Sequence, residues 1–425
     1  MEKITVSIIT IGDELLIGQV VDTNSAWMAQ QLNKAGLWVQ HRVAVGDVRD
    51  DIWGALDEEG ARSHVVLITG GLGPTADDIT KPLLCDYFGG KMILDEATLQ
   101  HVTYLFEQVF KRTGPLLERN RKQAEVPDVS TVLKNNNGTA PGMLFEKNGK
   151  IFISMPGVPH EMKGLMADHV LPLLKERYSL PHISHRTALT FGMGESMLAE
   201  LIKDWEEALP AFVKLAYLPN YGMVRLRLTA SGEKETVEKT LDGEFAKLKQ
   251  LVKDILVVDE DLPMEQVVGK LLKGLGKTMS TAESCTGGNI AHLITSIPGS
   301  SAYFYGSVVS YDNSIKQSVL GVKTETLQTA GAVSEETVKE MVQGVLKVMQ
   351  TDYALAVSGI MGPDGGTPDK PVGTVWVAVG NSEKVETRKF NFRFDRAKNI
   401  EITSMNALNL LRVFILQNNS ATAKG

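Results

Sequence analysis

Ser284, in the run Thr281-Ala-Glu-Ser-Cys-Thr-Gly-Gly288, joins a hydroxyl to small neighbours and a diglycine, a composition suited to a tight strand-to-helix turn that exposes an attacking oxygen. Backbone N–H groups at such a turn point where an oxyanion would form. The attack also needs a base. His292 is the only histidine after residue 185, and it falls in an apolar, helix-like run. Lys316, closing the run Tyr311-Asp-Asn-Ser-Ile-Lys316, is the better candidate: burial lowers a lysine's pKa until it can take the serine proton, the Ser-Lys form of nucleophilic catalysis. Cys285 competes as nucleophile, but a free cysteine is more often a small buried hydrophobe, and no positioned histidine is evident to activate it. Thr286 and Gly287 could meet substrate or serve the following helix; Glu283 could pair with a cation or anchor the turn. Tyr311 could stack on a substrate or pack into the core. Ser358-Gly-Ile-Met-Gly-Pro-Asp-Gly-Gly366 follows an apolar strand, which puts Ser358 and Gly359 where α/β domains present ligands. Arg396 could take a phosphate bidentately or cap a strand-helix junction.

A second set of residues lies near the N-terminus. Gly70-Gly-Leu-Gly-Pro-Thr-Ala-Asp-Asp-Ile-Thr80 follows an apolar strand and opens a helix, so Gly71, Gly73 and Thr75 could bring backbone donors to a phosphate. Asp77 or Asp78 could hold a divalent metal over a pyrophosphate, or cap the helix. Asp13, Glu14, Asp22 and Asn24 fall at a neighbouring strand end, and together these residues point to a nucleotide-type site. Lys81 could neutralise phosphate charge or be a solvated helix residue. Loops 135–142 and 155–162 are dense in Asn, Gly and Pro and flank one short hairpin, which allows them to close over the same crevice. His160 and Glu161 could form an acid-base pair, although structural roles are the commoner fate of such loop residues.

Elements that would position these residues follow from the apolar pattern. Strands near 4–11, 39–45 and 64–69 alternate with helices near 23–35, 51–61, 78–88 and 96–112, which predicts a doubly wound α/β domain over 1–178 with a parallel sheet and ligands beyond its carboxyl ends. Residues 178–185 read as a linker. Residues 186–257 read as a small α+β domain: strand, amphipathic helix, strand or hairpin, charged helix. A third domain over 264–417 alternates helix and strand again, with strands at 353–357 and 373–379, a closing helix at 399–416 and a polar, disordered tail.

The whole chain has 425 residues, too many for one ordinary core, with 43% hydrophobic and 22% charged residues and a net charge of −7. That charge gives no electrostatic footprint for nucleic acid. Cys85 and Cys285, the two cysteines, fall in different domains, so a reducing compartment fits better than a disulfide framework. No apolar run reaches the roughly 18 residues a membrane helix needs, and no signal peptide is evident. A cytoplasmic protein without membrane or nucleic-acid partners is expected.

The runs quoted above, Gly12-Asp-Glu-Leu-Leu16, Gly70-Gly-Leu-Gly-Pro-Thr-Ala-Asp-Asp78 and Asn137-Gly-Thr-Ala-Pro-Gly142 with the C-terminal motifs, resemble the CinA family over nearly the whole chain. The resemblance implies a molybdopterin-binding-like N-terminal domain acting as an ADP-ribose pyrophosphatase, dependent on a divalent metal (Mg2+, Mn2+ or Co2+), with K+ as a candidate further ion. Asp13, Glu14, Asp77 and Asp78 would be the metal ligands. It implies a C-terminal deamidase that takes nicotinamide mononucleotide to the acid without a cofactor, with Ser284 as nucleophile, Lys316 as base and Tyr311, Thr286, Ser358 and Arg396 around the substrate. Pyridine-nucleotide salvage and a homodimer are further implications. Met361 and Phe394 depart from the family pattern and are expected to crowd the pocket. A non-catalytic nucleotide or pterin binder, or a competence-related scaffold, is the competing class; it would keep the glycine loops and be indifferent to loss of Ser284.

Overall fold

The computed structural model describes residues 4–75, 78–112 and 114–422, with side chains described to residue 419. Asp77, one of the expected metal ligands, lies outside the described residues. Close contacts divide the chain into two compact units: residues 1–185 with 210–214 and 229–243, and residues 186–209 with 215–228 and 244–425.

In the first unit a six-stranded sheet runs in the order Trp38–Val45, Thr5–Ile11, Val65–Thr69, Lys150–Met155, Gly142–Lys147, Thr131–Leu133. The first four strands are parallel, as the alternation of strand and helix requires. The last two are antiparallel, and Gly142–Lys147 with Lys150–Met155 is the short hairpin expected between the two loops. The cause is local: only Asn148 and Gly149 separate Lys147 from Lys150, both with positive φ, and a two-residue turn can join antiparallel strands only. Val65–Thr69 is buried along its whole length, and apolar clusters on both faces fill the space under the helices. The helix expected over 96–112 ends at Tyr104 and passes into a π turn, Leu105–Val109.

Residues 182–258 form a four-stranded sheet, Val213–Asn220, Met223–Gly232, His182–Phe191, Leu256–Val258 in spatial order, carrying the helices Glu195–Glu207 and Lys234–Leu251. This is an α+β arrangement.

In the second unit a five-stranded sheet is ordered Phe304–Val309, Met279–Glu283, Tyr353–Gly359, Thr374–Gly380, Val385–Asn391. The first three strands are parallel and the last two antiparallel. The helix Glu335–Met349 fills one face with Val338, Met341, Val342 and Val345. Met264–Leu275 and the long C-terminal helix cover the other through Val268, Leu272, Leu408 and Leu411. That last helix runs on to Thr422, past the predicted end at residue 416. Asn418 and Asn419 turn their amides back onto the carbonyls of Phe414 and Ile415, and Asn419 also reaches the Tyr353 hydroxyl, so polar side chains extend the helix instead of ending it. Among the described residues no helix is long and apolar enough to cross a membrane.

Candidate functional site

Three parallel strands of the second unit end side by side, each at a serine: Ser284 follows Met279–Glu283, Ser310 follows Phe304–Val309, and Ser358 and Gly359 close Tyr353–Gly359. The Ser284 N–H donates to Val357 O at 3.1 Å and pins the turn to the neighbouring strand. Ser284 is 8% exposed. Positive φ at Gly287 and Gly288 turns the chain into the helix Asn289–Thr295, which explains the diglycine.

Glu283 has one use, and it is structural. Fully buried, its carboxylate accepts from Gly288 N (3.1 Å), Ile290 N (3.0 Å), Ala291 N (2.8 Å) and the hydroxyls of Thr286 (2.7 Å), Thr281 (3.3 Å) and Ser307 (3.4 Å). It satisfies the helix N-terminus that was expected to face substrate, so Glu283 is not available as a substrate ligand. Among the described contacts from Ser284 to Ala291, the N–H groups of Cys285 and Thr286 have no oxygen acceptor and are turned to the Cys285 sulfur, which an oxyanion would have to replace as their acceptor. The Thr286 hydroxyl donates to Glu283 and keeps only acceptor capacity.

Lys316 sits on the short helix Asn313–Ser318, which Asp312 caps by accepting from Ser314 N. The lysine is 1% exposed, which sets aside the surface-residue alternative. Its Nζ donates to Ser310 O at 2.7 Å and Tyr311 O at 3.2 Å. Desolvation pulls its pKa below the usual lysine value, against the smaller pull of Asp312 and Cys285. No hydrogen bond joins Ser284 Oγ to Lys316 Nζ among the described residues. The Lys316 ammonium favours ionisation of the Cys285 thiol, the neighbour of Ser284 in sequence, but against the larger effect of burial. Burial pushes that thiol up to about 12, so Cys285 stays a neutral core group beside Ser284. Ser310, missed by sequence reasoning although it adjoins the Tyr311 run, is fully buried with its hydroxyl unpartnered among the described residues.

At the outer edge the Arg396 guanidinium donates to Gly362 O (2.8 Å) and to the Tyr311 hydroxyl (3.0 Å), joining two residues 85 positions apart. Tyr311 is 63% exposed and belongs to no core. Ser358 is buried and donates to Ala332 O at 2.7 Å, and a Cβ at Gly359 would meet Val375 and Thr374 O, so both serve the strand end rather than an open pocket. Met361 is buried in the core cluster that holds Cys285, and Phe394 stands half-exposed under the Lys398 ammonium.

The first unit carries a cleft of about 440 Å³ beyond the carboxyl ends of its parallel strands, lined by Glu14, Asp22, Asn24, Gly70 to Pro74, Asp78, Gln123, Thr139 and Glu161 among others. Gly71, at φ +62°, leaves room for Thr80, whose Oγ1 would stand 2.1 Å from an added Cβ. Asp78 folds its own loop: it accepts from Gly73 N (2.8 Å), Thr75 N (2.9 Å) and the Thr75 hydroxyl. Thr75 and the Gly73 amide are thereby spent. Asp13 and Asp47 brace two loops by reciprocal bonds to each other's N–H. Among the described residues no three of His, Cys, Asp or Glu converge as a metal set. Asp13 and Asp78, engaged as they are, do not fit the expected metal cradle, and Glu14 alone of the described three is uncommitted in the cleft. Asn24 donates to Gly157 O at 2.7 Å, and its Oδ1 has no partner among the described residues. Glu161 lies over Gly138, accepts from Asn135, and is held above the usual carboxylate range by desolvation. Lys81 is neither solvated nor in the cleft wall: it is 7% exposed, donates to Gln123 O, and desolvation lowers its pKa to about 8.

Residues 7–176 match the probable molybdopterin binding domain, residues 185–256 the damage-inducible protein CinA KH domain, and residues 261–415 the CinA C-terminal domain. A CinA-like protein of Cytophaga hutchinsonii is 48% identical, with 95% of this chain and 96% of that one covered. A CinA-like protein of Flavobacterium psychrophilum is 46% identical, with 97% and 99% covered. Among solved structures, the competence/damage inducible protein CihA from Agrobacterium tumefaciens is 39% identical over 35% of this chain and 92% of its own, with a TM-score of 0.35. The chain belongs to the CinA family.

Proposed function

We propose that the C-terminal site hydrolyses the carboxamide of nicotinamide mononucleotide to the carboxylate, releasing ammonia. The observation that carries this reading is the Lys316 amine, closed off from water with its hydrogens directed at Ser310 O and Tyr311 O. A neutral amine has two hydrogens and one lone pair; with both hydrogens engaged, the lone pair is free to accept a proton. Ser284 Oγ attacks the amide carbon as its proton passes to Lys316, and the N–H groups of Cys285 and Thr286 receive the developing oxyanion. Collapse breaks the C–N bond, and the Lys316 proton goes to the departing ammonia. Water then attacks the Ser284 ester with Lys316 again as base, giving the acid and restoring the serine. Arg396 spends two of its five donors on Gly362 O and Tyr311, which leaves others for the substrate's phosphate.

The test is ammonia release from nicotinamide mononucleotide by the full chain and by Ser284→Ala and Lys316→Ala. Loss of turnover by at least a thousandfold in both variants is expected. Undiminished turnover in either refutes the mechanism, and an inactive parent protein moves the reading to the non-catalytic binder or the competence-related scaffold.

A second reading, for the first unit, is favoured by its glycine-walled cleft and by Glu161. Hydrolysis of the ADP-ribose diphosphate would add water across the P–O–P bridge and yield AMP and ribose 5-phosphate, with Glu161, whose proton affinity is raised, as the carboxylate suited to take the water's proton. No step is assigned to a metal, because Asp13 and Asp78 are engaged elsewhere. The reading fails if ADP-ribose is untouched with Mg2+, Mn2+ or Co2+ supplied, or if Glu161→Gln retains full activity. Neither reading calls on nucleic acid or a membrane, and the KH-type stretch contains no Gly-X-X-Gly clamp. A homodimer completes the proposal.

A further inference from the structure

Two residues before each serine at the ends of the three parallel strands stands an apolar residue of one cluster: Ala282 before Ser284, Val308 before Ser310 and Ala356 before Ser358, all packed with Val338, Met341 and Val342 of the helix Glu335–Met349. Side chains two apart along a strand share a face. The ladder continues past the strand ends, since the Ser284 N–H donates to Val357 O and the Ser310 N–H to Glu283 O at 2.8 Å, so the three hydroxyls start on that same face. Ser310 is the immediate neighbour of Ser284, because Val309 pairs with Glu283 in the register. Ser358 commits its hydroxyl to Ala332 O. Ser310 has no such use: it is fully buried, and its Oγ has no partner among the described residues. The carbonyl of that same residue holds the Lys316 amine at 2.7 Å. An idle hydroxyl thus adjoins both the serine and the amine, two groups that no hydrogen bond joins directly among the described residues.

We propose that Ser310 is a proton relay between Ser284 and Lys316, giving a serine-serine-lysine set in place of a direct pair. The proposal rests on the deamidase reading for its substrate only. As Ser284 Oγ bonds to the amide carbon, its proton passes to Ser310 Oγ while the proton already on Ser310 passes to the Lys316 lone pair. Ser310 ends neutral and Lys316 positive. When the C–N bond breaks, the Lys316 proton returns through Ser310 to the departing nitrogen. A hydroxyl suits this place because it donates and accepts at once, and one without a partner is free to turn among its staggered positions. Packing alone does not call for it: alanine would fill the site without burying an unpaired polar group.

Ser310→Ala and Ser310→Thr are compared with the parent chain by ammonia release from nicotinamide mononucleotide, by the rate at which a fluorophosphonate labels Ser284, and by thermal unfolding. Labelling forms a phosphonate ester and expels fluoride; it needs the same proton taken from Ser284 but not the nicotinamide substrate. Ser310→Ala is expected to lower kcat by about a hundredfold or more, with KM within about threefold of the parent's, labelling slowed at least tenfold and the unfolding midpoint unchanged or raised. Threonine, which restores the hydroxyl, recovers most of kcat. In mixtures of H2O and D2O the parent's kcat bows below a straight line, as two protons moving together require, and the residual rate of Ser310→Ala falls on the line. Ser310→Ala only removes atoms, so the test stands even if the extra methyl of threonine unfolds the chain. A kcat within threefold of the parent's in Ser310→Ala, a straight plot for the parent, or a loss of kcat that follows a lowered midpoint overturns the relay. A parent that is labelled but releases no ammonia loses the deamidase reading, and slowed labelling of Ser310→Ala then upholds the relay by itself. A parent neither labelled nor active loses both.

Discussion

Replacing Glu283 with glutamine separates a structural anchor from a substrate ligand. The carboxylate takes six donors with no solvent exposure: three backbone N–H groups of the helix start and three hydroxyls. Glutamine keeps one acceptor oxygen and places an NH2 where the other stood. If the NH2 replaces Oε1, the Ala291 N–H, now at 2.8 Å from its acceptor, faces a donor and is left unpaired in the interior. That alone costs about 1–3 kcal/mol. The three bonds to the other oxygen, from Thr286, Gly288 and Ile290, fall from charge-assisted to neutral and lose roughly half their strength. The sum is about 3–5 kcal/mol, and at roughly 2–4 °C per kcal/mol for a unit of this size the C-terminal transition falls by about 10 °C. Scanning calorimetry of the full chain reads it. A midpoint lowered by less than 2 °C, together with a raised KM for nicotinamide mononucleotide, would return Glu283 to the substrate and refute the anchor.

Cys285→Ala keeps ammonia release within about twofold, since a thiol held near 12 is not ionised at neutral pH, and the parent's Cys285 resists iodoacetamide until the protein unfolds; a thousandfold loss in the variant would make the thiol the nucleophile. Gly71→Ala puts a Cβ 2.1 Å from Thr80 Oγ1 at a positive φ, and it destabilises the first unit by about 1–3 kcal/mol in chemical denaturation; an unchanged midpoint would contradict the crowding. Lys81 gives a pH test. Its folded pKa of about 8 lies below the unfolded 10.5, so below pH 8 both states hold the proton and the fold carries the full burial penalty, about 3 kcal/mol. Between about 8 and 10.5 the folded state sheds its proton first, and stability rises with pH. Lys81→Met lacks that rise in urea midpoints measured from pH 7 to 10.5; a variant that keeps the parent's slope places the titrating group elsewhere.

What the sequence made legible was the strand and its end. Val65–Thr69 and the expected strand at 353–357 are short, apolar and followed at once by glycine or serine, and a buried parallel strand leaves little else for such a pattern to be. The positions of Gly70 and Ser358 at sheet ends follow from that alone, whereas the strand before Ser284, Met-Ser-Thr-Ala-Glu, has no apolar run to announce it. Whether a polar side chain at a strand end faces ligand or backbone was not legible, because both roles select the same residue types. Glu283, Asp78 and Asp13 are acidic residues beside glycine turns, which is what a metal cradle and a set of loop braces equally require. The difference lies in which amide each oxygen reaches, a distance fixed by tertiary packing. Lys316 shows the converse. Its sequence surroundings, Asn-Ser-Ile on one side and Gln-Ser on the other, are those of a solvated helix, yet its amine is buried.

That burial is the strongest argument for chemistry in the second unit. A lysine with 1% exposure and, among the described residues, no carboxylate bonded to its amine bears desolvation without an ion pair to offset it, and the two carbonyls on Nζ cannot supply a full counter-charge. Methionine would fill the same space without that cost, so Lys316→Met is expected to raise the midpoint of the C-terminal transition at neutral pH while abolishing ammonia release. Burial acts against the protonated form, so the stabilisation is greatest at low pH and fades as pH climbs through the depressed pKa towards 10.5. A variant less stable than the parent at pH 7 would mean that the ammonium holds the loop at Ser310 and Tyr311 in place, and the lysine would then be a structural clamp with no claim to be the base.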